Sequence, residues 1–576
     1  MATMAQETTK APYNNYFIPE KDLKYVPPYF RDVPETPKEV KCVTAGNWPK
    51  WLEGSFLRSG TGRWTVPLSE DGSKPNAVFQ HFFDGLNMLH KFRMIDGQVF
   101  YTSRYTTEGI VRNAKKNGFV TSTMFGLNAN IPLKDAQDPC SALLGAQQSL
   151  FMARGSIAPD EVNVNVCPRR GMHLPPDRNP ISRGEAATNP EKEEIIMQSD
   201  FNMIQTLDAK TLEPKRILTY AEIDPQLAGL GICAHPPKDR ARGMTFNYLI
   251  SPDNQVLYIF ALDIRSNPVS AIWKTALPCK PCYTHSIAMT DKYVVFIRNP
   301  VHMNVEDLTK PVMEMFEYEP NVPTQFFVLD KLSGKHDSVA SYALKGSFFF
   351  FHCANAYDYV DSTTGNINVH VDICSYDSEY PPFRDYNLSN IVDPAAPFQN
   401  GVLRRYELGE VDNANPDEMG RATIAAAIPG MASEVPRIAK SASMDPNYRY
   451  VYSATGYCGD SPGTSVPIGR LGDGYKTIQA AFFGSLAKSD WKTGTFKEWK
   501  PPNGESNPCE PIFVQRPGAT EEDDGIVLSI VIDKKGHHSI LVALDGKTFE
   551  ETARAHLPQV YALGPHGTFV EGDFGA

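Results

Sequence analysis

The sequence has no excess of positive charge: 56 Lys and Arg stand against 67 Asp and Glu, a formal net charge of -11. A nucleic-acid binder needs a basic face to displace phosphate counterions, so nucleic acid is excluded as a partner. Cysteine is sparse, with 10 in 576 residues scattered from Cys42 to Cys509. That is not the dense spacing of a disulfide scaffold and predicts a reducing, cytoplasmic setting. No apolar run approaches the roughly 18 residues that cross a bilayer. The longest aromatic block, Phe348 to Phe351, is short, and Met1 to Glu7 lacks the basic-then-apolar order of a secretory signal. Glycine-rich phosphate loops of the dinucleotide or Walker kind are missing, and so is sustained helical periodicity.

What is present is a balanced globular composition, 41% hydrophobic and 21% charged, enough for a large core. Residues 1–38 are polar and proline-rich, with Pro27-Pro28 and Pro34 to Pro37, and predict an extended arm before a body over 39–576. From there strand signals dominate. Phe92 to Tyr101 is two β-rich runs joined by Asp96-Gly97, a pair that tolerates the positive φ of a tight hairpin turn. Further strands are predicted near 256–264, 293–297, 367–373, 448–453 and 526–532.

A loose repeat follows several runs: Asp208-Ala209-Lys210-Thr211, Asp330-Lys331-Leu332-Ser333, Asp490-Trp491-Lys492-Thr493 and Asp545-Gly546-Lys547-Thr548. Aspartate at a turn accepts hydrogen bonds from the backbone ahead of it. Repeated hairpins over so long a chain favour radial blades, a β-propeller, over a sandwich, although the spacing leaves the blade count open. Residues 167–192, with Pro168, Pro175, Pro176, Pro180 and Pro190 among charged residues, predict an exposed insertion.

Four of the thirteen histidines sit on constrained or apolar chain: His235 before Pro236, His285 in Tyr-Thr-His-Ser, His352 after four phenylalanines, and His566 between Pro565 and Gly567. Imidazole is a common metal ligand, and ligands spread over a propeller converge only where blades meet on the axis. Spacing cannot select four from thirteen. The remaining nine keep the reading of hydrogen-bonded core or surface residues. The pair Cys279 and Cys282 has no partner pair, so it gives weak support for zinc or redox chemistry.

At these residues the chain resembles the carotenoid cleavage oxygenases, in a fungal-type form, from about Val43 onward. The likeness is carried by Gly54-Ser55-Phe56-Leu57-Arg58-Ser59-Gly60, by Phe82 to Phe92, by Glu510 to Val514 with Glu521 to Gly525, and by the four histidine contexts. It implies a seven-bladed propeller with a loop and short-helix cap over the metal axis. It also implies Fe(II) on His235, His285, His352 and His566, with Glu434 and Glu510 accepting ring protons from ligand histidines. Asp200 stands where the family usually has a third glutamate. Four neutral ligands leave the ion's full charge and two octahedral positions open, which suits dioxygen better than structural zinc does.

The implied reaction is oxidative scission of a conjugated alkene, with an apolar substrate and dioxygen as partners. Tyr105, Phe349 and Phe351 are candidate substrate contacts, Phe348 and Phe350 lying in the same run. Phe125 to Asn128 through Asp138 to Cys140 looks like the animal carotene oxygenase branch. Stilbene-cleaving relatives often place a lysine soon after a similar Phe-Gly, and here Leu127 follows. Both features favour a carotenoid or apocarotenoid. Lys134 lies nearby, and cleavage of a stilbene or phenylpropenoid, a non-oxidative polyene isomerase and a propeller serving only as a binding scaffold stay as alternatives. Peripheral membrane contact is expected from the substrate's insolubility; no protein partner is identifiable.

Overall fold

The Asp96-Gly97 hairpin forms as its sequence predicts. Both residues adopt positive φ, 49° and 71°, and Ile95 pairs with Gln98 across the turn. The aspartate turns follow suit: Asp208 Oδ1 accepts from the amides of Lys210 and Thr211, and Asp545 Oδ1 from those of Lys547 and Thr548, all at 2.8–2.9 Å. Asp490 receives Lys492 N at 2.9 Å. Asp361, outside the repeat noted in the sequence, makes the same turn with Thr363 and Thr364. Leu332 and Ser333 of the fourth repeat lie outside the described residues. The computed structural model describes residues 20–25, 30–120, 125, 157–176, 187–304, 312–331, 338–377, 380, 382–391, 396–399, 401–455, 466–468, 484–502, 505–533, 537–572 and 574–575.

These hairpins build an all-β, propeller-like array of antiparallel sheets. The five strands predicted from sequence appear as Leu257–Asp263, Tyr293–Arg298, Ile367–Tyr376, Tyr450–Thr455 and Gly525–Asp533. Among the described residues six sheets have four strands or more, so seven separate blades do not appear. One pairing is parallel: Ser338–Leu344 runs beside Met419–Ala427 and ties two four-stranded antiparallel runs into one eight-stranded sheet.

The ring closes by exchange. Gly567–Glu571 pairs with Gly54–Arg63 in the first sheet, while Val43–Gly46 pairs with Glu551–His556 in the last. Each end of the body thus completes the other end's sheet.

The second half of the 1–38 arm does not stand away from the body: Phe30 is fully buried edge-on against Trp64 and Phe82, and the extended Thr36–Lys41 pairs with Gln98–Tyr105. Residues 167–192 are not wholly an exposed insertion either. Cys167–Arg170 is a strand at the end of its sheet, paired with Glu194–Gln198, and Met172 and Leu174 are buried. Pro168 is tolerated because a strand at a sheet's edge leaves one side of its backbone unpaired. The apolar side chains draw this stretch inward, which a count of prolines and charges overlooks. Residues 177–186 lie outside the described ones.

The largest apolar cluster runs from Phe30 and Trp64 through Phe349 and Phe383 to Leu541 and Phe569. Short helical turns, Pro382–Tyr386 and Leu388–Ile391, contribute Phe383 and Leu388, both fully buried. Each such side chain stabilises the fold by roughly 1.5–3 kcal/mol.

Candidate metal centre

The four singled-out histidines sit where strands at sheet edges begin. His235 precedes Lys238–Asp239 and forms a parallel bridge with Ser286, which sets it beside His285, just ahead of Ala288–Met289. His352 lies in Phe349–Val360 at a register shift between Phe350 and Cys353. An irregularity of this kind re-aims a side chain off the alternating pattern. His566 directly precedes Gly567–Glu571, and its carbonyl accepts from Ser59 N at 3.0 Å. Gly564 must lack a side chain, since a Cβ there would meet the Ser59 carbonyl at 1.9 Å.

The rings converge by their Nε2 atoms. His235 Nε2 lies 3.1 Å from that of His285 and 3.0 Å from that of His566, and His352 Nε2 lies 3.1 Å from His566 Nε2. All four ligand atoms fall within 4.8 Å of one another.

Three of the rings are fixed from behind. His285 Nδ1 is 2.9 Å from Asp200 Oδ1, His352 Nδ1 is 2.5 Å from Glu434 Oε2, and His566 Nδ1 is 2.9 Å from Glu510 Oε1. Each carboxylate accepts a hydrogen bond from Nδ1–H and holds the proton there, so Nε2 of these three rings is left as a bare acceptor. The 3.1 Å separation between His352 Nε2 and His566 Nε2 is therefore lone pair against lone pair, and a cation between them is what satisfies it. Ligands at about 2.1 Å and at right angles around one ion are about 3.0 Å apart, so the donor set fits a metal.

The carboxylates differ in their own support. Glu510 accepts from Arg58 Nη1 at 2.7 Å, Arg437 Nε at 2.8 Å and Gly567 N at 2.8 Å. Arg58 is itself wholly buried and also donates to Tyr561 and to the Gly564 carbonyl. Glu434 accepts from the Tyr376 hydroxyl at 2.6 Å and from Val435 N at 2.8 Å. Asp200 has the Tyr283 hydroxyl, at 3.2 Å. Burial pushes His235 and His566 far below the usual imidazole range, with the neighbouring rings adding to the shift. Burial lowers His352 too, against the opposing pull of Glu434. Neutral rings are what a metal requires.

From the histidines opens a cleft of about 1190 Å³, its open mouth included, lined by Phe82, Phe83, Phe125, Phe201, Phe351 and Tyr386 among others. Asp200, Glu434, His285, His352 and His566 also face it. Two of the three expected substrate contacts lie elsewhere. Tyr105 stacks under Arg63 and donates its hydroxyl to the Val33 carbonyl. Phe349 packs behind Phe351 against Tyr376 and Phe383. Strand alternation puts Phe349 and Phe351 on one face and Phe348 and Phe350 in a separate core, but only Phe351 reaches the cleft.

Sequence reasoning missed Arg58, Arg437, Tyr283 and Tyr376. A buried arginine inside the small and apolar run Gly54 to Gly60 was the one available signal. Other histidines have ordinary hydrogen-bond partners: His81 the Phe383 carbonyl, His302 the Pro281 carbonyl, His370 the Tyr357 hydroxyl and Glu407. Cys279 and Cys282 are free thiols, both raised by burial. Of the Phe125 to Cys140 stretch, only Phe125 is among the described residues.

A family profile described as retinal pigment epithelial membrane protein matches residues 30–571. A carotenoid dioxygenase of Neurospora crassa is 27% identical, over 92% of this chain and 88% of that protein. A torulene dioxygenase of Fusarium fujikuroi is 28% identical over 92% and 90%. Among solved structures, a Synechocystis apocarotenoid oxygenase variant superposes with a TM-score of 0.69 at 19% identity, covering 95% of this chain and 98% of that one.

Proposed function

Because the chain belongs to the carotenoid oxygenase family described as retinal pigment epithelial membrane protein, we propose that it is an iron-dependent dioxygenase. It cleaves a conjugated carbon-carbon double bond of a carotenoid or apocarotenoid to two carbonyl products. The observation that carries this reading is the meeting of four imidazole nitrogens, three of them on rings backed by carboxylates, beside an aromatic cleft. His235, His285, His352 and His566 would hold Fe(II). When bound, the ion supplies open positions for dioxygen activation, and one alkene with one dioxygen balances to two carbonyls without a reductant.

The chain's own residues prepare that chemistry. Asp200, Glu434 and Glu510 keep the Nδ1 protons in place, which fixes ring orientation and raises ligand basicity. Phe83, Phe125, Phe201, Phe351 and Tyr386 form flat apolar walls suited to an extended polyene, and they exclude water around the reacting bond.

The carotenoid and torulene in the fungal relatives' names support a polyene over a stilbene or small phenylpropenoid. A polyene of this kind is met at a lipid surface, so peripheral membrane contact belongs to the same proposal. No described helix is long and apolar enough to cross a membrane. Counting the eight-stranded sheet as two blades joined at their outer edges gives seven blades in one domain over 39–576, the arrangement we favour.

Mass spectrometry of products formed by the iron-loaded protein under labelled dioxygen tests the reaction, with a carotenoid and a hydroxylated phenylpropenoid offered together. Label in aldehydes from the long polyene is the expected result. Label only in a benzaldehyde would move the substrate class. Isomerised polyene without label would replace the oxygenase by an isomerase.

A further inference from the structure

The three carboxylates behind the histidines are not equally equipped. Two are glutamates, and each has at least two further donors that do not touch its histidine: Arg58 and Arg437 on Glu510, Tyr376 and Val435 N on Glu434. The third, Asp200, is one methylene shorter and has the most exposed side chain, 16% against 9% for Glu434 and 1% for Glu510. Its extra donor is the Tyr283 hydroxyl. That hydroxyl alone among these supporting groups also reaches the imidazole, lying 3.0 Å from His285 Nδ1 and 3.2 Å from Asp200 Oδ2. His285 Nδ1 in turn lies 2.9 and 3.1 Å from the two Asp200 oxygens.

We propose that Tyr283 is a positioning residue: its hydroxyl, Asp200 and the His285 ring form one closed hydrogen-bonded triangle that orients His285 where the short carboxylate alone would leave it loose. The hydroxyl donates to Asp200, and the Nδ1 proton is shared between the carboxylate and the phenol oxygen. The ring of Tyr283 is buried and wedged against Phe316 and Phe383, at 5.2 Å from each, so the hydroxyl is presented from a rigid mount. Tyr283 and His285 are two residues apart on the same stretch, so the phenol and the imidazole share one backbone anchor, the Thr284 amide held by the Tyr248 hydroxyl at 3.2 Å.

The inference rests on the four histidines holding a metal, and Co(II) titration of the metal-free full chain separates the two claims. Co(II) is read by its visible absorption, which reports ligand geometry as well as uptake. Wild-type protein is expected to bind one Co(II) per chain. Y283F keeps the aromatic packing and is expected to bind about tenfold more weakly, with an altered spectrum and an unchanged melting temperature, in the range typical for loss of a group behind a metal ligand. The double variant Y283F/D200E is expected to regain wild-type affinity, because the added methylene carries the carboxylate into the space the hydroxyl leaves and braces the ring in its place. No uptake by the wild type would remove the metal reading itself. Normal uptake and spectrum in Y283F, or a weakened Y283F that D200E fails to restore, would overturn the role given to Tyr283.

Discussion

His566 and His285 each present Nδ1 to a carboxylate at 2.9 Å, yet what stands behind the two carboxylates differs. Behind His566 is a buried charged network in which Glu510 takes two arginines and a backbone amide, with both the Arg58 and Glu510 side chains at 1% exposure or less. Behind His285 is a short acid on the cleft wall with a single phenol. One corner of the centre is thus fixed by the fold's own electrostatics, and the other is held by local contacts facing the cleft. Equal distances at the ligand hide unequal stiffness behind it.

The largest expected effect strikes the fixed corner. Glu510→Gln leaves two arginines, one of them wholly buried, without their counter-charge, and breaking a buried pair on one side costs about 3–5 kcal/mol. Urea denaturation should show that loss in the metal-free protein, and a loss below about 1 kcal/mol would mean the network does not hold the corner. Asp200→Ala is the counterpart. Metal affinity should fall about 10–100-fold while stability changes little, because the carboxylate is partly exposed and has few partners. A comparable stability loss in both variants would erase the distinction.

A pH dependence sharpens it further. His90 lies tilted against Tyr561, which accepts from Arg58 Nε, and burial together with Arg58 lowers the His90 pKa from 6.5 to about 3. The folded pKa is depressed, so the unfolded chain takes up a proton that the fold refuses. Stability is whole above about pH 6.5 and falls toward about pH 3, by about 1.4 kcal/mol per pH unit for this group. Denaturation at about pH 7 and about pH 5.5 should give a shallower acid slope for His90→Phe than for the wild type. An identical slope would place the acid sensitivity elsewhere. The smallest effect belongs to the intermediate corner. Tyr376→Phe removes one donor from Glu434 while Val435 N remains, so a loss of about 1 kcal/mol in the melting analysis is expected.

How much of this the sequence could reveal follows from what each feature depends on. Asp96-Gly97 and the aspartate turns were legible because their partners lie within three residues. The four histidines stood out by their constrained settings, but selecting them took resemblance, since His235 and His566 meet across 331 positions. Arg58 and Glu510 are 452 apart, and nothing local to either announces the other. Phe349 shows a related limit. Alternation assigns a residue to a face, while the cleft occupies only part of that face, and Phe351 reaches it where Phe349 stops short. Blade number was unreadable from irregular spacing, and a parallel pairing that joins two antiparallel runs has no local signature in the sequence.

The exchange of strands between the first and last sheets has a consequence in time. His566 immediately precedes the strand that seals the first sheet, and its partner Glu510 takes the amide of the very next residue, Gly567. During synthesis the ribosome releases the other three histidines long before this segment. The set of four histidines is therefore complete only when this strand docks, so closing the ring and completing the centre are one event.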